Sequence, residues 1–252
     1  MLVAILAVGY ATFTGVQNPG VFIDTHAIAI VIGGTVAVAL IMFPITHIAN
    51  LFRIYFRVVT GRTREEIYSL IEEIVSLSKA LEAGEELEGK TAGVKNHFLK
   101  ESLELMVQGG LSESELEDVL EKRVQNQNED YKRDAATYKT LGKFPPAFGL
   151  VGTSLGMIGL LQGLGKADAF QSLGPAMSVA LVATFYGLIL ANVIIIPVGE
   201  NLTRASQLDL VARRVVVDGV RLLKEGKHPL LVEEYLKSYL KPAERNLLKG
   251  AS

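Results

Sequence analysis

Two threonines stand out because they carry polar oxygens into the most apolar parts of the chain. Thr153 lies in the segment 144–164 and Thr184 in the segment 174–198, and neither segment contains Asp, Glu, Lys, Arg or His. An ion carrier or proton relay inside a membrane generally needs a carboxylate or an imidazole at depth. If ions cross here, the titrating group therefore comes from another polypeptide, and the two hydroxyls supply oxygens beside it. The alternative is that each hydroxyl only bonds a carbonyl of its own helix.

Other kinds of chemistry find little support in the sequence. The chain has no cysteine, and its four histidines, His26, His47, His97 and His228, are far apart and lack metal-ligand spacing. The formal net charge is only −2, which does not indicate a nucleic-acid-binding protein. We therefore expect neither an enzyme nor a metal site, and no cofactor apart from a transported ion, H⁺ or Na⁺.

Three stretches are long and apolar enough to cross a bilayer, which takes about 20 residues of helix. They are the segments 25–46, 144–164 and 174–198. A fourth candidate, Leu2 to Val16, is short for a span. The alternative reading, a signal peptide, lacks the basic n-region that such peptides carry. The sequence therefore predicts a first span here and four spans in all.

Basic residues predict the orientation of these spans. They follow the second span, flank the third and follow the fourth: Arg53, Arg57, Arg62, Arg64, Lys132, Arg133, Lys139, Lys143, Arg204, Arg213 and Arg214. The segments 16–24 and 164–174 are short and nearly uncharged. Under the positive-inside rule both termini are cytoplasmic and only two short turns face outward. We predict spans 1 and 2 in 1–46, a cytoplasmic helical domain in 47–140, spans 3 and 4 in 141–199, and C-terminal cytoplasmic helices in 200–252.

Helical periodicity predicts an all-α fold, with a cytoplasmic helical bundle attached to the spans. Apolar residues recur at helical spacing from Glu65 to Leu81 and from His97 to Val107. Ser112 and Glu115 form a capping box that opens a helix expected to run on into the third span. Further helices are expected at 208–223 and 230–240.

A line of small residues marks the third and fourth spans. Gly149, Gly152, Gly156, Gly159 and Gly163 recur along one face of the third span, and Gly187 falls on a small-residue face of the fourth. Such spacing lets helix backbones approach closely in lipid. One reading is that the two spans pack tightly on each other. The other is that they line the bore of an oligomer around a guest helix, and the two readings are compatible.

Prolines mark the cytoplasmic ends of the same two spans. Pro145 and Pro146 lie at the start of the third span, where proline is tolerated because first-turn N–H groups have no helical partner. Pro197 lies between "NVIII" and "VGENL", in a stretch that remains helical in pattern. Because proline removes a backbone hydrogen bond, we predict a kink and a hinge there.

These segments together resemble a known family. "PPAFGLVGTSLGMIGLLQGLG" and "LGPAMSVALVATFYGLILANVIIIPVGENL" are similar to the third and fourth spans of the MotA/PomA stator subunits, in the MotA/TolQ/ExbB superfamily. "FIDTHAIAIVIGGTVAVALIMFP", "HFLKESLELMVQGG" and "EGKHPLLVEEYLKSYLKPAER" extend the resemblance over nearly the whole chain.

The resemblance implies a ring of five copies in the bacterial inner membrane. The ring would surround two single-span helices of a MotB/PomB-like partner, which carries the ion-binding Asp and a peptidoglycan-binding domain. Ion flow would turn the ring and push a FliG-like rotor protein. The alternatives are a MotA-like motor that works on another envelope load, and a solute transporter, which would need polar substrate-binding groups or broken helices at mid-membrane.

The resemblance also assigns roles to residues. Pro146 and Pro197 match two prolines implicated in torque coupling, and Thr153 and Thr184 match threonines that face the partner's Asp. Sodium-type members tend to have a further threonine where this chain has Ala183, so the ion is either H⁺ or Na⁺.

Rotor contact is assigned by resemblance to the stretch 79–90. The family has basic residues just before a glycine there and a glutamate some eight residues on, whereas this chain has Leu81 and Glu82 before Gly84. The candidate charges in this stretch are Lys79, Glu82, Glu85, Glu86 and Glu88.

Overall fold

Every regular element in the part of the chain that the structure describes is a helix. The structure, a computed structural model, describes residues 2–15, 19–46, 48, 65–164 and 169–245. The helices are α1 (Leu2–Gly15), α2 (Thr25–Ile28), α3 (Gly34–Met42), α4 (Glu65–Glu82), α5 (His97–Gln108), α6 (Glu113–Leu141), α7 (Phe144–Gly163), α8 (Ala169–Ile189), α9 (Ile196–Lys224), α10 (Pro229–Lys237) and α11 (Pro242–Arg245). The predicted all-α class is confirmed. The basic cluster Arg53, Arg57, Arg62 and Arg64 lies outside the described residues.

The chain forms two compact units. The first unit consists of residues 1–60 and 133–203, and the second of residues 61–132 and 204–252. Two of the three unit boundaries, 132/133 and 203/204, fall inside helices, since α6 and α9 each contribute residues to both units. The third, 60/61, lies outside the described residues. The predicted domain boundaries at 140/141 and 199/200 lie eight and four residues from these two unit boundaries, and they stay predictions.

Three helical stretches of the described chain are long and apolar enough to cross a membrane. They lie within Pro19–Met42, Glu113–Gly163 and Leu173–Lys224. The helix α1 has 14 residues, which at about 1.5 Å per residue is shorter than the hydrocarbon core. Residues 16–18 are outside the described part, so the predicted first span stays a prediction.

The first unit is built around the pair α7 and α8, which pack against each other along most of their lengths. The second span lies across this pair and consists of α2, a π-helical segment Ala29–Gly33, and α3. Ala27 and Val31 from this span are fully buried against Val182 and Ala183 of α8. The second span therefore covers the part of α8 that carries Val182 and Ala183.

The expected continuous helix from Ser112 into the third span is interrupted once. α6 ends at Leu141 and α7 begins at Phe144, with a two-residue turn between them. Pro145 and Pro146 have no N–H, so the carbonyls of Leu141 and Gly142 lose their helical donors, and the residue before a proline is disfavoured in the α region. The prolines thus end one helix and start the next.

A second irregularity precedes Pro197. Residues Leu190–Ile195 form a π-helical segment between α8 and α9, and the N–H of Ile196 donates to the carbonyl of Ala191, five residues earlier. Pro197 would leave the carbonyl of Val193 without a donor in a regular α-helix. Before Pro197 the hydrogen bonds change from the α-helical to the π-helical pattern, and the chain therefore stays helical. At the site of the predicted kink the structure thus has a change of hydrogen-bond register.

The second unit is a helical bundle with one apolar core. α4, α5, the start of α6, the end of α9 and α10 bury residues that include Ile71, Ile74, Leu99, Leu103, Leu120, Val215, Val220 and Leu236. Gly109 and Gly110 end α5 with φ angles of 74° and 87°, which favour glycine. The Ser112 N–H donates to Glu115 Oε2 at 2.8 Å, and the Glu115 N–H donates to Ser112 Oγ at 3.3 Å, as the predicted capping box requires.

Candidate ion pathway

The hydroxyls of Thr153 and Thr184 meet where α7 and α8 cross. Their oxygen atoms are 2.5 Å apart, and both side chains are half-buried. Thr153 Oγ1 also lies 3.1 Å from the carbonyl oxygen of Gly149 and 3.0 Å from that of Ala180. Thr184 Oγ1 lies 3.4 Å from each of the same two carbonyl oxygens. We call these four oxygens the threonine cluster.

The threonine cluster has more acceptors than donors. The two hydroxyls supply two protons, and the hydrogen bond between them uses one of those protons. The other proton satisfies one carbonyl, so lone pairs on the remaining oxygens stay available. Such a group of oxygens favours a proton donor or a hard cation beside it. Each hydroxyl reaches a carbonyl of its own helix and one of the neighbouring helix, so neither is bonded to its own helix alone. A role for the two hydroxyls beside an ion stays a prediction.

Glycines let the two helices approach closely enough for this contact. A Cβ atom added to Gly149 would lie 3.0 Å from the carbonyl oxygen of Ala183 and 3.0 Å from the Cα of Thr184. A Cβ atom at Gly156 would lie 2.7 Å from Ala180 Cβ, and one at Gly152 would overlap Ala183 Cβ. Any larger residue would separate the helices and the two hydroxyls with them.

Gly187 and Gly159 lie at different places relative to this contact. A Cβ atom at Gly187 would overlap the carbonyl oxygen of Pro145, so this glycine belongs to the same close approach. Gly159 is exposed, and a Cβ atom there would meet nothing within 4 Å. The helical spacing placed Gly159 with the other glycines, but the contact with α8 does not extend to it in the described chain.

Ala183 packs tightly between α7 and α8. It is fully buried, and its Cβ faces the site where Gly152 lacks a side chain. Sodium-type members of the MotA/PomA family, which this chain resembles, tend to have threonine at the position of Ala183. In this chain the position is filled by the smallest side chain that still packs against Gly152.

Side chains just before the second span also contact α8. The Tyr186 hydroxyl donates to the carbonyl of Phe22, and the Phe22 ring lies 5.2 Å from that of Phe185. Asp24 Oδ1 accepts from the N–H of Ala27 at 2.8 Å and so caps α2. The Asp24 carboxylate therefore serves as a helix cap.

The joints that contain the prolines pack on each other. Pro145 is buried, while Pro146 and Pro197 are half-buried. A Cβ atom at Gly142 would lie 2.7 Å from Ile196 Cγ1, and one at Gly199 would lie 3.0 Å from Tyr138 Cβ. Sequence reasoning did not single out these two glycines, and their only signal is their position three residues before Pro145 and two after Pro197.

The candidate rotor charges belong to the second unit. Lys79 and Glu82 are exposed near the end of α4, after which Gly84 turns the chain with a φ of 77°. Glu82 Oε1 lies 3.3 Å from His228 Nε2, and Glu85 forms an ion pair with Lys90. Glu86 and Glu88 are exposed. Of the five candidate charges, Glu82 and Glu85 thus form contacts within the chain.

Comparison with known proteins places these features in a family context. The sequence profile of the MotA/TolQ/ExbB proton channel family matches residues 90–215. The chain is 30% identical to Motility protein A of Bacillus subtilis (strain 168), over 93% of this chain and 84% of the relative. It is 29% identical to Chemotaxis protein PomA of Vibrio alginolyticus, over 90% and 88%.

Solved structures agree with these sequence matches. The structure of the flagellar MotAB stator complex from Bacillus subtilis contains a chain that matches with a TM-score of 0.84 and 27% identity, over 100% of this chain and 99% of that one. The structure of C. jejuni MotAB matches with a TM-score of 0.80 at 23% identity, over 96% and 94%, and shares the fold.

Proposed function

This chain belongs to the MotA/TolQ/ExbB proton channel family, and we propose that it is the channel-forming stator subunit of an ion-driven motor that turns the flagellar rotor. The observation that carries the proposal is the threonine cluster, a group of oxygens between two helices that contain no charged side chain. The cluster can receive an ion or a proton donor, but it cannot itself take up and release a proton at neutral pH.

A carboxyl group from a partner completes this chemistry. A protonated carboxyl would donate its hydrogen bond to the cluster, whereas a carboxylate would be attracted there only together with a cation. The packing of the partner helix against α7 and α8 therefore depends on whether the carboxyl carries an ion. The cluster suits both H⁺ and Na⁺, since hydroxyl and carbonyl oxygens accept hydrogen bonds from a protonated carboxyl and also coordinate hard cations.

The assembly follows from the family. We propose a ring, of five copies by resemblance, around two single-span helices of a MotB-like partner that carries an Asp. The chain would span the bacterial inner membrane four times, with α1 as the first span and both termini in the cytoplasm. Exposed apolar side chains on α7 and α8, such as Leu150, Leu161 and Leu181, then face lipid, neighbouring copies or the partner.

Torque would pass through the joints that contain Pro146 and Pro197. The two helices approach closely at these joints, where Gly142 lies against Ile196 and Gly199 against Tyr138. Lys139 Nζ also lies 3.1 Å from Glu200 Oε1. The π-helical segment before Pro197 lets the helix change register without losing its hydrogen bonds. A change in partner packing at the threonine cluster could therefore rotate α9 as a unit.

Contact with a FliG-like rotor protein would use the stretch 79–90. Lys79, Glu86 and Glu88 are exposed there, while Glu82 and Glu85 already have partners in the chain. The predominantly acidic character of this stretch predicts a basic surface on the partner.

Reconstitution in liposomes tests the ion pathway. The chain alone should give little flux, the chain with its MotB-like partner should conduct, and Asp→Asn in the partner span should abolish conduction. Strong conduction by the chain alone would contradict the proposal, because α7 and α8 offer no titratable group. Restoring motility in a strain without its stator subunit then separates a flagellar load from another envelope load.

A further inference from the structure

Two neighbouring glycines of the second span have different surroundings. They are Gly33 and Gly34, at the point where the π-helical segment Ala29–Gly33 passes into α3. A Cβ atom added at Gly34 would overlap the ring of Phe148 on α7, with Phe148 Cγ only 2.6 Å away. A Cβ atom added at Gly33 would meet nothing within 4 Å. The second span is therefore in close contact with the third span at Gly34, while the side of Gly33 is open.

The Phe148 ring has little freedom to make room for a larger residue. Its Cγ atom joins the ring to the rest of the side chain, so turning the ring about its own axis would not move that atom away from Gly34. A change of χ1 would be needed instead, and a helix leaves an aromatic side chain only two of the three staggered χ1 positions. A side chain at residue 34 would therefore displace α7 or force the ring into its other position.

α7 is also held by α8, at the residue that follows Phe148. A Cβ atom at Gly149 would lie 3.0 Å from the carbonyl oxygen of Ala183 and 3.0 Å from the Cα of Thr184. Residues 148 and 149 of α7 thus make two close contacts with different helices. Neither contact leaves room for an extra methyl group, so α7 cannot absorb a push at one of them without moving at the other.

The Gly149 carbonyl oxygen belongs to the threonine cluster. It lies 3.1 Å from Thr153 Oγ1 and 3.4 Å from Thr184 Oγ1. Because Phe148 is the residue directly before it, a displacement of the backbone at Phe148 also moves this oxygen. The contact at Gly34 therefore bears on the spacing of the cluster.

The π-helical segment packs where α7 and α8 meet. Val31 is fully buried together with Val182 and Ala183 of α8. Ile30 Cγ2 would lie 3.8 Å from a Cβ atom at Gly152 of α7. The segment thus contacts both helices that carry the two hydroxyls. π-Helical turns are rare in proteins and occur frequently at functional sites.

We propose that Gly34 is a positioning residue for ion passage. Its lack of a side chain lets the Phe148 ring lie against the second span, and this contact sets the distance of the Gly149 carbonyl oxygen from the two threonine hydroxyls. The second span, which carries none of the four oxygens of the cluster, thereby determines how tightly the cluster holds an ion or a proton donor. The proposal rests on the proposed function, since it takes the threonine cluster as the ion pathway.

Ion flux in liposomes, with the MotB-like partner present, tests the effect on the cluster. Gly34→Ala should raise the concentration of H⁺ or Na⁺ that gives half-maximal flux about tenfold, less than the roughly hundredfold loss that a displacement of about 1 Å can cause. A loss of folded complexes alone would lower the maximal flux and leave that concentration unchanged. The matched control is Gly33→Ala, the same change one residue earlier, which should conduct as the wild type does.

A second substitution tests whether the effect passes through the ring. Phe148→Leu leaves room for the added methyl group, so Gly34→Ala combined with Phe148→Leu should behave like Phe148→Leu alone. Phe148→Leu adds no atom, and by itself it should raise the half-maximal concentration less than Gly34→Ala does. If the Gly34→Ala complex does not assemble, the comparison of Phe148→Leu with the wild type decides, and an unchanged half-maximal concentration there would overturn the proposal.

Cysteine pairing measures the geometry without any need for ion flow. The chain has no cysteine, and the hydroxyl oxygens of Thr153 and Thr184 are 2.5 Å apart. Sulfur atoms at both positions should therefore be close enough to form a disulfide on oxidation. The disulfide between Thr153→Cys and Thr184→Cys should form more slowly with Gly34→Ala and at an unchanged rate with Gly33→Ala. Non-reducing gels separate it from disulfides between copies.

Several results would overturn the proposal. They are an unchanged half-maximal concentration in Gly34→Ala, equal effects of Gly33→Ala and Gly34→Ala, or an effect of Gly34→Ala that persists undiminished with Phe148→Leu. A wild-type complex that does not conduct would count against the proposed function instead. The rates of disulfide formation would then still show whether Gly34 sets the distance between α7 and α8, and equal rates with and without Gly34→Ala would refute that role.

Discussion

The hydroxyl oxygens of Thr153 and Thr184 lie 2.5 Å apart, although the residues come from different helices and are separated by 30 others in the sequence. Each is also within 3.4 Å of the carbonyls of Gly149 and Ala180. The contact joins α7 to α8 at a point where the surrounding side chains are apolar. Changes to either hydroxyl should therefore alter ion passage more than they alter folding.

Thr184→Val should reduce ion flux or change its dependence on Na⁺, because valine keeps the shape but removes one oxygen of the cluster. Thr184→Ser, which keeps the hydroxyl, should conduct nearly normally. The control is Thr35→Val in the second span, where the lost hydroxyl bonds only the Val31 carbonyl of its own helix. Flux is measured in liposomes with the partner present. Equal losses for Thr35→Val and Thr184→Val would exclude a specific role for the cluster.

Gly156→Ala should destabilise the first unit, while Gly159→Ala on the same helix should not. A methyl group at Gly156 would lie 2.7 Å from Ala180 Cβ and 2.9 Å from the Ala176 carbonyl oxygen, and one at Gly159 would meet nothing. Overpacking of this kind costs about 1–3 kcal/mol. Yield and thermal stability of the purified complex provide the measurement. A normal Gly156→Ala complex would mean that the helices can move apart without loss.

Pro197→Leu should abolish motility while assembly and partner binding persist. Leucine restores an N–H at this position, so a regular α-helical bond to Val193 becomes possible and the π-helical register is no longer favoured. Pro175→Leu, at the exposed proline inside α8, is the matched control and should remain motile. Motility is scored together with co-purification of the partner. A motile Pro197→Leu strain, or one that loses the partner, would show that the proline serves packing alone.

Ser112→Ala should fray the start of α6, at a cost of about 1 kcal/mol. The hydrogen bond from Ser112 lowers the pKa of Glu115 below its ordinary 4.5. A lowered pKa stabilises the folded state above the ordinary value, and this stabilisation is lost as the pH falls through the folded-state value. Amide hydrogen exchange at Leu116 should therefore differ more between wild type and variant at neutral pH than in acid, where only the bond from the Glu115 N–H to Ser112 Oγ still distinguishes them. A difference of the same size at both pH values would rule out a contribution from the carboxylate.

The sequence was sufficient for the architecture and the family. Hydrophobic periodicity predicted the helices of the bundle, since a helix that is buried on one face has apolar residues at helical spacing. Segment length predicted the spans, since a helix that crosses a bilayer needs about 20 apolar residues. The capping box at Ser112 depends on neighbours within a few residues, so local sequence was enough to predict it. The distinctive order of Gly, Thr and Pro in two adjacent spans was enough to indicate the family.

Only the tertiary structure decided which of these residues meet. Gly149, Gly152, Gly156 and Gly159 share one spacing, yet Gly159 is exposed and a Cβ atom there would meet nothing within 4 Å. The same holds for Gly142 and Gly199, whose close contacts come from residues more than 50 positions away in the chain. The sequence also predicts a helix at 230–240 without distinguishing its leucines, whereas in the structure Leu230 and Leu231 are exposed and Leu236 is fully buried. Periodicity specifies that a helix has an apolar face, but packing between distant segments determines how much of that face is covered.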